Sequence, residues 1–485
     1  GGVAATHLWD HFLTHFPEVD FTVMGEGEIH FLHLIRHLEA ESPGEPGAVP
    51  GIGYRKDGRP VRTDPAEPIT DLDALPNPAK FYPYRHLSLT RGCPGRCTFC
   101  GSPGFWGRRV RFHSTGYFVD QMEILAQKGE RFFYVSDDTF TLRKTNVIEV
   151  CKEILRRRLP VSWAAISRVD CVDAEMLLWM RRAGCAQISY GVESGSAEIR
   201  SRLGKPFSAD AIERAFGLTT AYGILPRAYF IYGCPGETRQ TIEETLALIQ
   251  RIRPLSTVFY ILDVFPGTRL YQEFKKRFGV TDEIWLERIE DILYFEYDPD
   301  LSREDVLAFG DRLRTGFYRA LPGFTEAIEV VDREDLYLLH GDFFSKLGMT
   351  FSHGDYAAID AIPDPDAVAE RLYRRALRFA PDHRAFAGLA MVLQKRGAWQ
   401  AASAVIEEGL GHYPDSEELT LCAGIARMNR GRYAEAVDLL LKLPDSVRAL
   451  QAIAQCYQAM NQPNLAALYR RRLRARAGLG PGPQG

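Results

Sequence analysis

Short apolar runs alternate with amphipathic helical stretches through the middle of the chain. The runs fall at 86–90, 132–136, 161–166, 186–190, 227–232 and 257–262, and helical periodicity covers 118–128, 145–158, 174–183, 209–222 and 241–253. Most of the runs are apolar on both faces, as strands of a sheet covered by helices must be. Six strands with helices between them predict an α/β fold with a parallel sheet and right-handed crossovers. The pattern fits an open doubly wound sheet or a partial (β/α)6 TIM-like barrel, and in both the ligands gather at the carboxyl ends of the strands.

The flanks read differently. Residues 1–40 give a helix, a strand at 19–24, a Gly25-Glu26-Gly27-Glu28 turn and a second helix; this βα unit is too small to bury a core alone. Residues 41–80 are rich in Pro and Gly and read as a linker carrying one hairpin, turned at Lys56-Asp57-Gly58. Residues 281–365 form a helical extension whose aromatics Trp285, Tyr294, Phe295 and Tyr297 are expected in the core. From 366 to 475 a repeat emerges: Pro381-Asp382-His383 returns at 414 and 444 with Ser in third place, and Gly397-Ala398-Trp399 returns as Gly431-Arg432-Tyr433. A period near 34 with a small Ala after the aromatic is the tetratricopeptide pattern, an all-α array. The Gly/Pro-rich tail 476–485 is expected to be disordered.

Composition narrows the classes. The 485 residues carry 59 Lys+Arg against 63 Asp+Glu, so no global basic field marks a nucleic-acid binder. No uncharged apolar run is long enough to span a membrane. Nine cysteines are too sparse for a disulfide framework, which places the protein in a reducing, cytoplasmic setting. Three of them, Cys93, Cys97 and Cys100, sit within eight positions directly after the first predicted strand. Cys-x3-Cys-x2-Cys cannot share one helix or strand face, so the loop must wrap a compact object. No fourth Cys or His is close: His86 lies across the strand and His113 is well beyond Cys100. Three thiolates suit a four-iron cluster with one iron left open; a zinc site or a purely structural cluster is the alternative. The other six cysteines form no second pattern. Cys151, Cys422 and Cys456 read as core hydrophobes, and Cys234 ends a strand within reach of the site.

Cys93, Cys97, Phe99 and Cys100 after the first strand resemble the radical S-adenosylmethionine (SAM) superfamily, and the whole series through 275 resembles its cobalamin-dependent branch. The resemblance implies a [4Fe-4S] cluster on the three cysteines, SAM chelating the open iron, and one-electron cleavage to a 5′-deoxyadenosyl radical, with Phe99 backing the adenine. A reductant such as flavodoxin or ferredoxin would supply the electron. Later strand ends then become SAM contacts. Asp137 and Asp138 would meet the amino group, or cap the next helix. Arg168 would pair with a carboxylate of SAM or substrate, or form a plain salt bridge. Glu193 and Ser194 would meet the ribose or the amine, with Gly195 leaving room, and Pro235-Gly236 would lie beside the adenine.

Gly1, Gly2, the strand near 21–24 and the Gly25–Glu28 turn resemble the closing segment of a doubly wound cobalamin-binding domain, whose glycines admit the cofactor's nucleotide tail. The usual Asp-x-His-x-x-Gly motif is absent, and His7, His11 and His15 follow no such pattern. A chain opening on Gly-Gly-Val rather than Met is expected to have lost sequence from its front, so cobalamin is expected of a longer parent. The resemblance implies cobalamin-dependent methylation of an unactivated carbon, or a non-methylating radical rearrangement or oxidation. A reading of another class is an interaction protein, with the tetratricopeptide array recruiting a protein partner and the cluster non-catalytic.

Overall fold

The computed structural model describes residues 1–40, 44–288 and 291–476. It divides into two compact units, Gly1–Phe324 and Thr325–Gly485. The predicted domain limits at 80, 280 and 365 do not coincide with this division, and the expected tail from 477 onward lies outside the described residues.

In the first unit three strands precede the sheet: β1 (Phe21–Val23), β2 (Ile52–Lys56) and β3 (Arg59–Arg62). The ribbon strands β5 (Thr90–Arg91) and β6 (Arg111–Phe112) pair with each other. The main sheet comprises β4 (His86–Leu87), β7 (Phe132–Val135), β8 (Ser162–Ser167), β9 (Cys185–Glu193), β10 (Leu225–Tyr232) and β11 (Ser256–Ile261). All five of its pairings are parallel, and the spatial order β4-β7-β8-β9-β10-β11 is the chain order. A doubly wound sheet reverses its order at a switch point; this one does not, and right-handed crossovers then place the helices along one face.

Register sorts the two faces. Phe133, Trp163, Ile188, Tyr190 and Phe230 are buried beneath the helices. Their alternates form the open face, where Ala164, Ser189 and Gly191 of β8 and β9 are small and Tyr229 and Tyr260 of β10 and β11 are large. Helices start at side-chain caps that absorb their free amides: Ser114 accepts from Tyr117 N at 3.1 Å, Asp173 from Met176 N at 3.0 Å, and Thr238 and Thr241 form a reciprocal capping box.

The first predicted strand is not continuous. It leaves the parallel sheet at Leu87 and resumes as β5 against β6. The front also differs from expectation. The strand expected to close a doubly wound domain pairs antiparallel with β2, and the hairpin expected in a linker supplies that partner, giving the order β1-β2-β3. Val23, Leu34, Val49, Ile52 and Tyr54 give this small sheet its own core, which forty residues alone could not build. Buried Glu26 holds it to the following residues: Arg111 forks onto both carboxylate oxygens, and Ile69 N donates to Oε2 at 2.8 Å. Tyr294 and Phe295 are buried, with Trp285 and Tyr297 packed against the same core.

The second unit is helical, including Pro365–Phe379, His383–Lys395, Trp399–His412, Glu417–Asn429, Tyr433–Leu440, Val447–Ala459 and Pro463–Arg476. Asp382, Ser416 and Ser446 cap three of these helices. The first two caps are 34 residues apart (416 − 382), although the Pro-Asp motifs recur at 33; the cap moves from the second motif residue to the third. Ala402 and Ala436, also one period apart, are fully buried.

Candidate active site

Gly92 begins the cysteine loop at φ +102, and a Cβ there would lie 2.8 Å from the Arg109 carbonyl oxygen, so only glycine fits. The three cysteines that follow are free and half-buried. Cys93 and Cys97 turn their sulfurs inward across Gly95, whose missing Cβ would sit 3.3 Å and 3.7 Å from them. Burial raises the Cys97 thiol and pushes Cys100 up to about 11, so these two stay thiols until a cation compensates the thiolates. Among the described residues no three His, Cys, Asp or Glu side chains gather tightly enough for a single metal ion. A four-iron cluster asks for something else, thiolates spread around a cube, and that donor set fits it better than zinc. His86 stacks on Tyr134 and His113 on Tyr117, with His113 Nδ1 2.9 Å from Asp73, so neither is a fourth ligand. Cys234 lies in the core and is likewise no ligand.

The loop is braced from positions the sequence did not single out. Thr98 N donates to Leu203 O at 3.0 Å, and Thr98 O accepts from Leu270 N at 2.8 Å. Gly204, at φ +73, lets the chain pass under the loop; a Cβ there would meet Arg96 O at 2.5 Å. Lys205 is paired with Glu193, and its ammonium lies 5.9 Å from the Phe99 ring centroid. The Lys205 charge lowers the Cys97 thiol, in opposition to burial.

Asp137 is not at the surface of the site. It is 1 % exposed, and its Oδ1 accepts from Ser88 Oγ and Leu89 N at 2.8 Å and from Thr90 N at 3.0 Å. These three bonds break the predicted first strand and fix the start of the cysteine loop, so Asp137 is a clamp rather than a cap or an open ligand. Burial pushes its carboxyl up to about 7. Asp138, by contrast, is exposed and accepts from Ser102 Oγ, just beyond Cys100.

Arg168 makes a two-pronged bond to Asp170 (2.9 and 2.8 Å) and stacks over Phe207, while Nη1 turns toward Gly95. Glu193 sits at φ +65 beyond a bulge: Tyr229 pairs with Gly191 but Phe230 with Glu193, leaving Val192 as the extra residue. The bulge brings the Glu193 carboxylate to the cavity wall. Ser194 instead is buried, 3.2 Å from Thr245 Oγ1, and Arg200 donates to its carbonyl at 2.9 Å. Gly195 leaves room for the Thr245 helix rather than a ligand, since a Cβ would lie 2.3 Å from Thr245 Cα. Pro235-Gly236 packs against Arg202, and buried Glu237 closes that turn by accepting from Gly233 N and Cys234 N. Gly1 lies beside Val23, and Gly2 precedes the first helix, its carbonyl accepting from Thr6 N at 2.9 Å. Ser194, Pro235, Gly236, Gly1 and Gly2 are absent from the lining of the cavity described next.

A cavity of ≈ 700 Å³ opens at the carboxyl ends of β9–β11, with Phe99, Glu193, Ile231 and Tyr260 among its walls. A loop of three thiols, a strand-end carboxylate and a ligand-sized cavity therefore meet at one end of a parallel sheet. Residues 87–249 match the model of the radical SAM superfamily. That stretch is a radical SAM domain. It is 31 % identical over 286 residues to an uncharacterized methyltransferase of Pyrococcus horikoshii, covering 56 % of this chain and 61 % of that one. It is 29 % identical over 299 residues to the anaerobic magnesium-protoporphyrin IX monomethyl ester cyclase of Rubrivivax gelatinosus, covering 58 % and 54 %. The chain thus spans less than two thirds of either relative. The solved structure of the radical SAM methyltransferase TsrM from Kitasatospora setae, with cobalamin and [4Fe-4S] cluster bound, superposes with TM-score 0.50 at 21 % identity over 57 % of both chains, a likeness of fold.

Proposed function

We propose that this radical SAM domain is an enzyme in which Cys93, Cys97 and Cys100 hold a [4Fe-4S] cluster, SAM occupies the adjoining end of the cavity, and the outcome is cobalamin-dependent methylation of an unactivated carbon. The observation that carries the reading is the loop of three half-buried thiols, with the Cys93 and Cys97 sulfurs turned toward each other across Gly95, beside the cavity wall of Phe99 and Glu193. When bound and reduced, the cluster supplies the electron that opens SAM to a 5′-deoxyadenosyl radical.

The chain's residues set the stage for that chemistry. Asp137 and Thr98 hold the loop at both ends, so the thiols are placed before any metal arrives. Glu193 presents a carboxylate to the SAM ammonium, and its ion pair with Lys205 fixes its orientation. Phe99 gives the nucleoside an apolar wall. Arg168, with Nη1 beside the cysteine loop, adds positive charge where the SAM carboxylate would lie. Asp138 lies beside the loop through Ser102 and is the better of the two strand-end carboxylates for a ligand contact.

Cobalamin is assigned on the relatives rather than on a pocket of this chain, since Gly1 and Gly2 make only local contacts. A reductant such as flavodoxin or ferredoxin supplies the electron, and the helical repeats serve as a tetratricopeptide surface for a protein partner. The test is anaerobic reconstitution followed by dithionite and SAM. Formation of 5′-deoxyadenosine, lost in Cys97→Ala together with the iron, is the expected result. A loaded cluster that leaves SAM intact would refute the enzyme reading and favour the interaction protein.

A further inference from the structure

Taking the cavity as the reaction chamber proposed above, we infer that its outer part admits a flat apolar group that is uncharged or cationic, and rejects phosphate and carboxylate groups. The charges on its walls have one sign. Among the described residues Glu193, Asp263 and Asp291 line it, and no Lys, Arg or His does. Glu193 is committed to Lys205, but the other two carboxylates have no such partner on the wall. They face each other because a bridge pairs Asp263 with Leu293 and brings the 291–293 segment alongside the end of β11. Asp263 Oδ1 accepts Val264 N at 2.7 Å and Ile292 N at 3.1 Å, which fixes its position; burial and the adjacent Asp291 carboxyl raise it, so the two acids share a proton and leave the pair about one negative charge with no cation beside it on the wall. The rest of the outer wall is aromatic. Tyr229 and Tyr260 stand edge to face, 5.9 Å between centroids, and Tyr260 is 52 % exposed.

Aromatic faces and carboxylates attract the same ligands. The ring quadrupole favours a cation or a stacked flat group, and paired carboxylates favour an ammonium. An anion entering this chamber would meet the negative charge of the Asp263–Asp291 pair in a site partly closed to water, where one like charge at contact distance costs well over tenfold in affinity. Asp263, Asp291 and Tyr260 belong to β11 and the segments after it, whereas the thiols belong to the loop after β5.

The test uses two probes of like shape and opposite charge, tryptamine and indole-3-propionate, bound to the full chain by equilibrium dialysis in the presence of SAM and without reductant. Tryptamine is expected to bind at least about tenfold tighter. Asp291→Asn is expected to shrink that ratio, and the Asp263→Asn/Asp291→Asn pair to bring it within about twofold. The asparagine carbonyl at 263 still accepts the two amides, and the single variant guards against loss of fold in the pair. Tyr260→Ala should weaken both probes alike. Equal binding of the two probes, absence of tryptamine binding, or a ratio unmoved in the double variant would overturn the proposal. None of these outcomes bears on SAM cleavage, which is read separately from 5′-deoxyadenosine, so the two readings fail separately.

Discussion

Asp137 makes folding stability depend on pH in a direction opposite to that of most carboxylates. Its ordinary value of 3.8 is pushed to about 7 by burial, against the pull of three donated hydrogen bonds. The folded chain therefore keeps a proton that the unfolded chain has lost. Stability from this group is complete at and below about pH 4 and falls as pH rises through about 7, by about 4 kcal/mol once ionisation is complete. Asp137→Asn retains an oxygen for Ser88, Leu89 and Thr90 but puts an NH2 at the position of Oδ2, which has no partner. That should cost about 1–3 kcal/mol at acid pH. Urea denaturation of cluster-free protein, followed by tryptophan fluorescence from about pH 4 to about pH 8.5, should show the variant starting below the wild type and overtaking it. Two curves that stay parallel across the range would show that Asp137 does not titrate on folding, and the argument would fail. Asp137→Ala should lose stability at every pH, since two buried amides lose their acceptor.

Other consequences can be measured in the same protein. Gly204→Ala should lower the melting temperature and iron loading together, because left-handed backbone costs an alanine about 1–2 kcal/mol before the contact with Arg96 O is counted; thermal melts and iron analysis report both. Arg111→Ala leaves buried Glu26 its weaker contact with Arg91 at 3.8 Å, at a cost of about 3 kcal/mol, and should expose the segment around 62–70 to limited trypsin digestion. Lys205→Met removes the positive charge beside Cys97 and should shift the reduction potential of the reconstituted cluster downward in an EPR-monitored titration; an unchanged potential would place Lys205 outside the cluster's field.

The cysteine spacing and the strand runs were legible because each is a local pattern. Six apolar runs became six parallel strands, and three cysteines in one loop cannot be scattered by folding. What could not be read depends on partners distant in sequence. Asp137 looks the same on paper whether it faces a ligand or clamps amides 47 and 48 residues earlier, and only the fold decides. The break in the first strand follows from that clamp, so it was missed with it. Ser194 and Gly195 were misread for the same reason, since Thr245 fills the space that a ligand seemed to need. Lys205 had a weak signal available, a lone lysine after Leu203-Gly204, but its pairing with Glu193 comes through a bulge that no periodicity announces. At the front, a three-residue strand does not state whether its neighbour will be parallel or antiparallel.

The grip of the front turn on the thiol loop gives the molecule a mechanical linkage. Glu28 bonds Arg91 at 2.5 Å, Arg91 stands two positions before Cys93, and its guanidinium rests on Trp106 at 4.9 Å. The Gly25–Glu28 turn and the near end of the sulfur-bearing segment are thus joined by a strut one side chain long, which ties the position of one to the position of the other.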